Sequence, residues 1–280
     1  MDSSLDNFKR APYHSKKHSS YFAAYDLLLK PYRNKPITFL EIGVLNGGSL
    51  FMWKSFLGEH ARIVGIDLNP AATKWEEYGF EIYIGSQSDS SFWLEILAGI
   101  GPIDVIVDDG GHTFRQQILT CEAVLPSVRN GGVIIIEDTH SSYMTDFGGP
   151  SSKSFVSYAK NIVDGVNYRS GKLQKNHHHK EIFYVSFFES IVAFHIDRTQ
   201  SHEKSQPVEN QGKNSSELDF RHSESKLGWA VEGATRRYIR LRMLPAIGPI
   251  LALIWKRLRS SILWILSRKD AIGLRRYFRF

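Results

Sequence analysis

At 280 residues, the chain is long enough for one well-packed domain with accessory segments. Its composition, 42% hydrophobic and 23% charged, excludes a wholly disordered polymer, and its single cysteine, Cys121, excludes an internal disulfide. The first ten residues lack an apolar leader, and the longest charge-free apolar run, residues 243–255, is too short to span a bilayer. We therefore expect a cytoplasmic protein.

The net charge of +6 is unevenly distributed along the chain. Residues 227–280 contain 12 Lys and Arg against 2 Asp and Glu, whereas the rest of the chain contains 23 against 27. The basic character therefore belongs to the carboxyl-terminal tail, and the remainder is slightly acidic. This distribution argues against a nucleic-acid interface on the main body, so we expect no nucleic-acid partner.

Short runs rich in Ile and Val alternate with helical patterns from residue 37 to residue 165. Such nearly continuous apolar runs are typical of parallel strands buried on both faces, so an α/β fold with a doubly wound, mostly parallel sheet is predicted. The predicted strands are 37–42, 62–66, 81–84, 104–107 and 133–136, and the predicted helices are 49–57, 91–98, 113–128 and 153–164.

Two further apolar runs, 182–188 and 191–196, are separated only by Glu189 and Ser190. No crossover helix fits in two residues, so these strands must form an antiparallel hairpin at the end of the sheet. An all-parallel dinucleotide-binding fold lacks that hairpin.

The chain divides into four predicted segments. A helical lead-in (1–36) precedes the main domain (37–198), which is followed by a flexible polar linker (199–226) and a basic amphipathic helical tail (227–280). Such a tail can dock on an anionic membrane surface or pack against its own domain or an oligomer interface. Its apolar positions at helical spacing are Leu251, Ile254, Trp255, Leu258, Ile262, Ile265 and Leu266.

A glycine-rich turn follows the first predicted strand and leads into the first helix of the main domain. Glycines there let the backbone approach a ligand at the carboxyl edge of the sheet. The turn is not GxGxxG, and an acidic residue before its first glycine suits a cofactor with a positive amino group better than a pyrophosphate. The alternative is a tight turn at a helix start. The candidate residues are Glu41, Gly43, Gly47, Gly48 and Ser49.

Polar residues also end the second and third predicted strands. Asp67 lies 24 residues after Gly43, where a carboxylate can accept hydrogen bonds from ribose hydroxyls; its alternative role is a helix cap or turn. Ser86 and Gln87 follow the third strand, where adenine would lie, although turn chemistry explains the same residues almost as well.

Four carboxylates follow the fourth and fifth strands, which end side by side in a doubly wound sheet. Neither acidic motif contains Lys or Arg, so a hard divalent cation, most plausibly Mg²⁺, is the simplest way to neutralise the predicted repulsion. The alternative is that one or two of these residues cap the following helix, as Asp109 or His112 could. The four residues are Asp108, Asp109, Glu137 and Asp138.

A histidine stands beside each acidic pair. His112 is the candidate general base for a hydroxyl nucleophile, and His140 is its rival. The run at residues 177–179 lies in polar sequence and is predicted to be solvated.

Together these motifs resemble the metal-dependent sugar O-methyltransferases of macrolide biosynthesis and the related cephalosporin-hydroxylase-like proteins. The resemblance covers roughly residues 37–150. It implies a Rossmann-like class I methyltransferase fold that binds S-adenosyl-L-methionine, with Asp108 on the cofactor side, and a Mg²⁺ ion held by Asp109, Glu137 and Asp138. It also implies His112 as the base, a small-molecule or glycan substrate and a homo-oligomeric state. The matching segments are 39–44, 47–50, Trp53, 65–67, 108–112, Gln117, 131–133, 137–138, 142–143 and 148–149.

The sequence therefore favours methyl transfer to the hydroxyl of a sugar or glycosylated metabolite. A catechol-like small molecule is the alternative acceptor, because a metal that chelates two oxygens serves either. A nicotinamide-dependent oxidoreductase is disfavoured by the glycine turn and by the hairpin. A non-catalytic membrane-surface adaptor is suggested only by the tail, which we instead expect to hold an enzyme peripherally at the inner face of the membrane.

Overall fold

In the computed structural model, residues 2–169, 179–203, 205–213, 225–241 and 248–278 are described. Two helices, α1 (Ser4–Arg10) and α2 (Tyr21–Leu29), precede the first strand. Helix α1 begins at a capping box, because the Ser3 side chain accepts from the Asp6 amide and Asp6 binds back to Ser3. Helix α2 buries an aromatic face, which anchors the lead-in to the main domain.

One seven-stranded sheet forms the centre of the main domain, in the order β3-β2-β1-β4-β5-β7-β6. The first five strands are parallel, and β7 runs antiparallel to both of its neighbours. This arrangement confirms the predicted doubly wound sheet with its terminal hairpin. The strands are β1 (Thr38–Ile42), β2 (Arg62–Asp67), β3 (Glu81–Ile84), β4 (Ile103–Asp108), β5 (Val128–Ile136), β6 (Ile182–Phe188) and β7 (Ile191–Ile196).

Helices cover both faces of this sheet. Each strand therefore alternates its side chains between two apolar layers, one beneath the lead-in helices and α3 and one beneath α4 to α6. Cys121 lies buried in the second layer, where burial raises the pKa of its thiol. The helices are α3 (Gly48–Leu57), α4 (Ser90–Ile100), α5 (Phe114–Val124), α6 (Phe155–Asn167) and α7 (Arg198–His202).

Two predicted boundaries were wrong. The predicted helix 113–128 ends at Val124, because Pro126 removes a backbone donor and the chain tightens into a 3₁₀ turn over Leu125–Ser127. The following strand therefore begins at Val128 rather than at residue 133. Residues 199–202 of the predicted linker belong to α7, and residues 214–224 lie outside the described chain.

The turn of the hairpin contacts the chain that follows β5. The carbonyl oxygen of Ser190 accepts a hydrogen bond from the Thr139 amide at 3.1 Å. The side-chain hydroxyl of Ser190 accepts another from the His140 amide at 3.3 Å. The last pair of strands thus braces the loop that carries Glu137 and Asp138.

Residues 208–280 form a second compact unit. Its described helices are α8 (Lys226–Leu241) and α9 (Gly248–Leu274), and residues 242–247 and 279–280 of the predicted tail lie outside the description. The two helices share a hydrogen-bonded ion pair, in which Arg259 donates to Glu232 at 3.2 Å. None of the helices in the described ranges combines the length and the apolar character needed to cross a membrane.

His195 on β7 is expected to make folding stability depend on pH. Its ring stacks on Tyr184 at 3.9 Å between centroids and bonds Ser186 at 3.1 Å, and burial lowers its pKa to about 4. Because the folded pKa lies below the unfolded value of about 6.5, the neutral ring stabilises the protein above pH 6.5, and this contribution is lost as the pH falls toward 4.

A His195→Asn variant should therefore lose less stability than the parent between pH 6.5 and pH 4, by at most about 3 kcal/mol. Urea unfolding of both proteins across that range measures the difference. Parallel stability curves for the two proteins would contradict this assignment.

Candidate active site

A cavity of about 380 Å³ opens at the carboxyl edge of the sheet, where β1, β2 and β4 end. Its volume lies in the range of small-molecule sites, and its position is where doubly wound folds bind ligands. The lining residues come from the ends of the five parallel strands and the loops after them, from the start of α5 and from the lead-in. They are Lys16, Ile42, Gly43, Leu45, Ile66, Asp67, Leu68, Gly85, Gln87, Asp109, Gly110, Gly111, His112, Gln116 and Asp138.

Gly43 lets the loop after β1 approach the loop after β4. Its φ is +91°, and a Cβ built there would lie 2.2 Å from the carbonyl oxygen of Asp109. No side chain fits at that distance, so the close approach of the two loops requires glycine. At Gly43 the wall of the cavity is therefore formed by backbone atoms and not by a side chain.

Asp67 ends β2 and faces the cavity. One of its carboxylate oxygens accepts from the amides of Val44 and Leu45, at 2.9 and 2.8 Å, and the other accepts from the Asn69 amide at 2.8 Å. A carboxylate has about four acceptor positions, so at least one remains for a ligand hydroxyl. Asp67 can therefore accept from the backbone amides of its turn and still accept from a ribose hydroxyl, as predicted.

The other candidates of the glycine turn lie behind the cavity wall. Glu41 is fully buried and accepts from Ser49 Oγ and Trp53 Nε1, both at 2.9 Å. Burial raises the pKa of Glu41 to about 7. Gly47 packs on the ring of Trp75, and Gly48 packs on the backbone of residues 13–14. These residues shape the turn and do not line the cavity.

Gln87 lines the cavity, but its amide is engaged within the protein. Its Nε2 donates to both oxygens of Asp108 and to Thr120, at 2.9–3.0 Å, and its Oε1 accepts from the Gly111 amide at 2.9 Å. Asp108 is buried, and burial raises its pKa. Gln87 and Asp108 thus hold the loop after β4 in place. Ser86 does not line the cavity; its hydroxyl accepts from the Ser88 amide at 3.2 Å.

Asp109, His112 and Asp138 come together at one end of the cavity. One donor atom from each lies within 4.8 Å of the others, and His112 Nε2 is 3.2 Å from Asp138 Oδ2. His112 and Asp138 both adopt left-handed backbone conformations, with φ of +57° and +54°. Such conformations in non-glycine residues are uncommon and cluster at functional sites.

Glu137 has a different environment from its neighbour Asp138. It is fully buried; its Oε2 lies 2.8 Å from Lys17 Nζ and its Oε1 accepts from the Tyr25 hydroxyl at 2.6 Å. Lys17 Nζ also lies 2.7 Å from Asp109 Oδ2. Burial alone would lower the pKa of Lys17, but Glu137 and Asp109 outweigh it and raise that pKa, so the lysine is charged.

The sequence prediction missed this lead-in cation because neither acidic motif contains a basic residue. Tyr21 and Tyr25 lie four residues apart on α2, which places them on one face of that helix, but Lys17 precedes the helix, so no spacing in the sequence indicated it. Tyr21 completes the cluster: its hydroxyl donates to Asp138 Oδ1 and accepts from the Asp138 amide.

His140 lies outside the cavity lining. Its exposed ring bonds the hydroxyl of Ser190 and lies 3.9 Å from Asp138 Oδ1. His112, by contrast, lines the cavity, and its Nδ1 is buried without a hydrogen-bond partner among the described residues. Between the two histidines, the geometry therefore favours His112 as the base.

Helix capping does not explain the acidic residues. Thr113, not Asp109 or His112, caps α5 through a capping box with Gln116. Asp138 precedes a 3₁₀ turn but makes no side-chain capping bond to it. The competing interpretation of these residues as helix caps is therefore wrong.

Comparisons with known proteins agree with the geometry. Residues 40–139 match the model of a methyltransferase domain family. Demethylmacrocin O-methyltransferase of Streptomyces fradiae is 32% identical over 157 residues, which are 52% of this chain and 39% of that protein. Mycinamicin VI 2''-O-methyltransferase of Micromonospora griseorubida has the same identity over the same length, with the same coverage of both chains.

A solved structure extends the likeness beyond the matched domain. The MycE methyltransferase from the mycinamycin pathway, in complex with Mg, SAH and mycinamycin VI, superposes with a TM-score of 0.66 at 26% identity, covering 74% of this chain and 56% of that chain. The fold is thus the Rossmann-like fold of class I methyltransferases, and the chain resembles their sugar O-methyltransferases. It spans less than half the length of the curated relatives that it matches.

Replacing Gly43 should separate the two loops of the cavity. Gly43→Ala combines an unfavourable φ with a backbone clash, whereas Gly79→Ala is a matched control with a φ of +84° and no atom within 4 Å of the added Cβ. We expect Gly43→Ala to lower the midpoint of urea unfolding more than Gly79→Ala does, because only Gly43→Ala adds a backbone clash to the unfavourable φ. Equal midpoints for the two variants would contradict the role given to Gly43.

Proposed function

We propose that this chain is an S-adenosyl-L-methionine-dependent, divalent-metal-assisted O-methyltransferase that acts on a hydroxyl of a sugar or glycosylated metabolite. The observation that carries the proposal is the group formed by Asp109, His112 and Asp138, which lies at one end of a cavity lined by Gly43 and Asp67. A potential cation site, a potential base and a nucleoside-sized cavity are thus contiguous.

The donor set fits a hard divalent ion. Two carboxylates and one imidazole offer atoms within 4.8 Å of one another, and carboxylate oxygens are the ligands that Mg²⁺ prefers. Asp109 and Asp138 would hold the ion. Glu137, the third predicted ligand, contacts Lys17 through one oxygen and Tyr25 through the other.

The side chains of the site would orient the cofactor and accept the substrate proton. When bound, S-adenosyl-L-methionine supplies an electrophilic methyl group and the metal ion lowers the pKa of a coordinated hydroxyl. Asp67 would bind a ribose hydroxyl and so orient the cofactor. His112 lines the cavity with its Nε2 3.2 Å from Asp138 Oδ2, and it would accept the substrate proton. Asp138 would thereby orient the ring of the base.

The relatives support this acceptor class. Both curated relatives reported above are named as O-methyltransferases, one of demethylmacrocin and the other of mycinamicin VI. A catechol would present two adjacent oxygens in a similar way. Methyl transfer to sugar glycosides and to catechols, each with and without EDTA, distinguishes the two, and we expect transfer to a glycoside alone, abolished by EDTA.

Asp109→Asn tests the site directly. Losing one carboxylate should lower both the bound divalent metal and the methyl-transfer rate, the rate on the order of 100-fold. Asp146→Asn, at an exposed position outside the cavity, is the control and should change neither. Normal metal content and normal transfer in Asp109→Asn would refute the proposed mechanism.

We also propose that the second unit docks the enzyme on an anionic membrane surface. Large apolar side chains are exposed along α9, including Ile254, Leu258 and Trp264. Arg268 stacks over the ring of Trp264 at 4.9 Å, which places a cation beside an amphipathic ring. The charge excess of this part of the chain complements anionic headgroups, at about 1 kcal/mol per basic residue near the lipid. A cytoplasmic location and a homo-oligomeric state remain predictions.

Charge reversal on α9 tests the docking. Lys256→Glu/Arg257→Glu, at exposed positions, should reduce flotation of the full chain with phosphatidylserine vesicles, and raising salt should weaken flotation of the parent. Lys9→Glu/Lys30→Glu changes the same number of exposed charges in the first unit and should float like the parent. Unchanged flotation after reversal on α9 would instead favour a protein partner or an oligomer interface.

A further inference from the structure

Lys17 is the most unusual group near the candidate site. Its side chain is fully buried, and its ammonium lies 2.7 Å from Asp109 Oδ2 and 2.8 Å from Glu137 Oε2. A buried ion pair is costly unless it is well paired, and here one cation serves two carboxylates. The group comes from the lead-in, so the charge balance of the site depends on a segment outside both acidic motifs.

The ammonium lies where an ion shared by Asp109 and Glu137 would have to lie. Mg²⁺ requires oxygen ligands at about 2.0–2.1 Å, and Nζ already fills the space between these two carboxylates. The other oxygen of Glu137 accepts from the Tyr25 hydroxyl, which holds the carboxylate in the orientation that faces Lys17. Lysine and a divalent ion are therefore mutually exclusive at this pair.

We propose that Lys17 is a resident cation that competes with the divalent ion for Asp109 and Glu137 and so sets the metal affinity of the site. While Lys17 is in place, the ion is restricted to Asp109 and Asp138, with His112 beside them. This inference rests on the proposed function only in assuming that a divalent ion binds these carboxylates. Lys17 is a positioning residue, because it acts through the carboxylates.

Removing the ammonium should strengthen metal binding. In Lys17→Met, the ion gains Glu137 as a ligand and loses the repulsion of a neighbouring positive charge, so Mn²⁺ should bind at least about ten-fold tighter than to the parent. Lys17→Arg keeps the charge and should bind like the parent. Titration of the full-length proteins with Mn²⁺, followed by electron paramagnetic resonance of the free ion, measures the affinities without any assay of activity.

The double variant Lys17→Met/Glu137→Gln separates competition from a general effect of charge. We expect it to lose most of the gain, because the added ligand is gone. Unfolding temperatures give a second measurement: Mn²⁺ should stabilise Lys17→Met more than the parent, since the ion replaces the missing cation. If Lys17→Met does not fold, Lys17→Gln removes the same charge and keeps a polar side chain.

An unchanged or weaker Mn²⁺ affinity in the charge-removing variants would overturn the inference. So would a gain that survives in the double variant, because Glu137 would then not be the ligand released. These outcomes are distinct from failure of the proposed function, in which methyl transfer is absent with every metal although the Mn²⁺ affinities still respond to Lys17.

Discussion

Negative charge gathered at the ends of β4 and β5 is the constraint on which the site depends. Parallel neighbours in a doubly wound sheet end at the same edge, so Asp108, Asp109, Glu137 and Asp138 meet because of the topology. Each carboxylate is stabilised differently. Gln87 and a backbone amide hold Asp108, Lys17 and Tyr25 hold Glu137, and Asp109 and Asp138 keep contact with the cavity.

The division of roles among these residues explains why the cavity contains some motif residues and not others. Glu41, Gly47, Gly48 and Ser49 determine the shape of the turn from behind, whereas Gly43 and Asp67 form the surface. A sequence motif contains both groups, because the residues that line the cavity and the residues that support them are adjacent along the chain. Only the three-dimensional structure distinguishes the lining residues from the supporting ones.

Local pattern predicted most of the fold. Apolar runs located all seven strands of the described sheet, and the two-residue gap at Glu189 and Ser190 required the hairpin. Pro126 was the local signal that the prediction of a longer α5 neglected. The acidic edge also followed from strand order, because parallel topology fixes which strand ends are adjacent. Lys17 did not, since its contact with Glu137 joins residues 120 positions apart and no periodicity encodes such a pairing.

Ser190, in the turn of the antiparallel hairpin, positions the loop that follows β5. Its carbonyl and hydroxyl accept the amides of Thr139 and His140, immediately after the carboxylates. Because the turn of a two-residue hairpin tolerates little change in length, it holds the loop that carries the carboxylates in a fixed position. Inserting even one residue at the tip of the hairpin would therefore displace Ser190 from this loop and shift the position of Asp138.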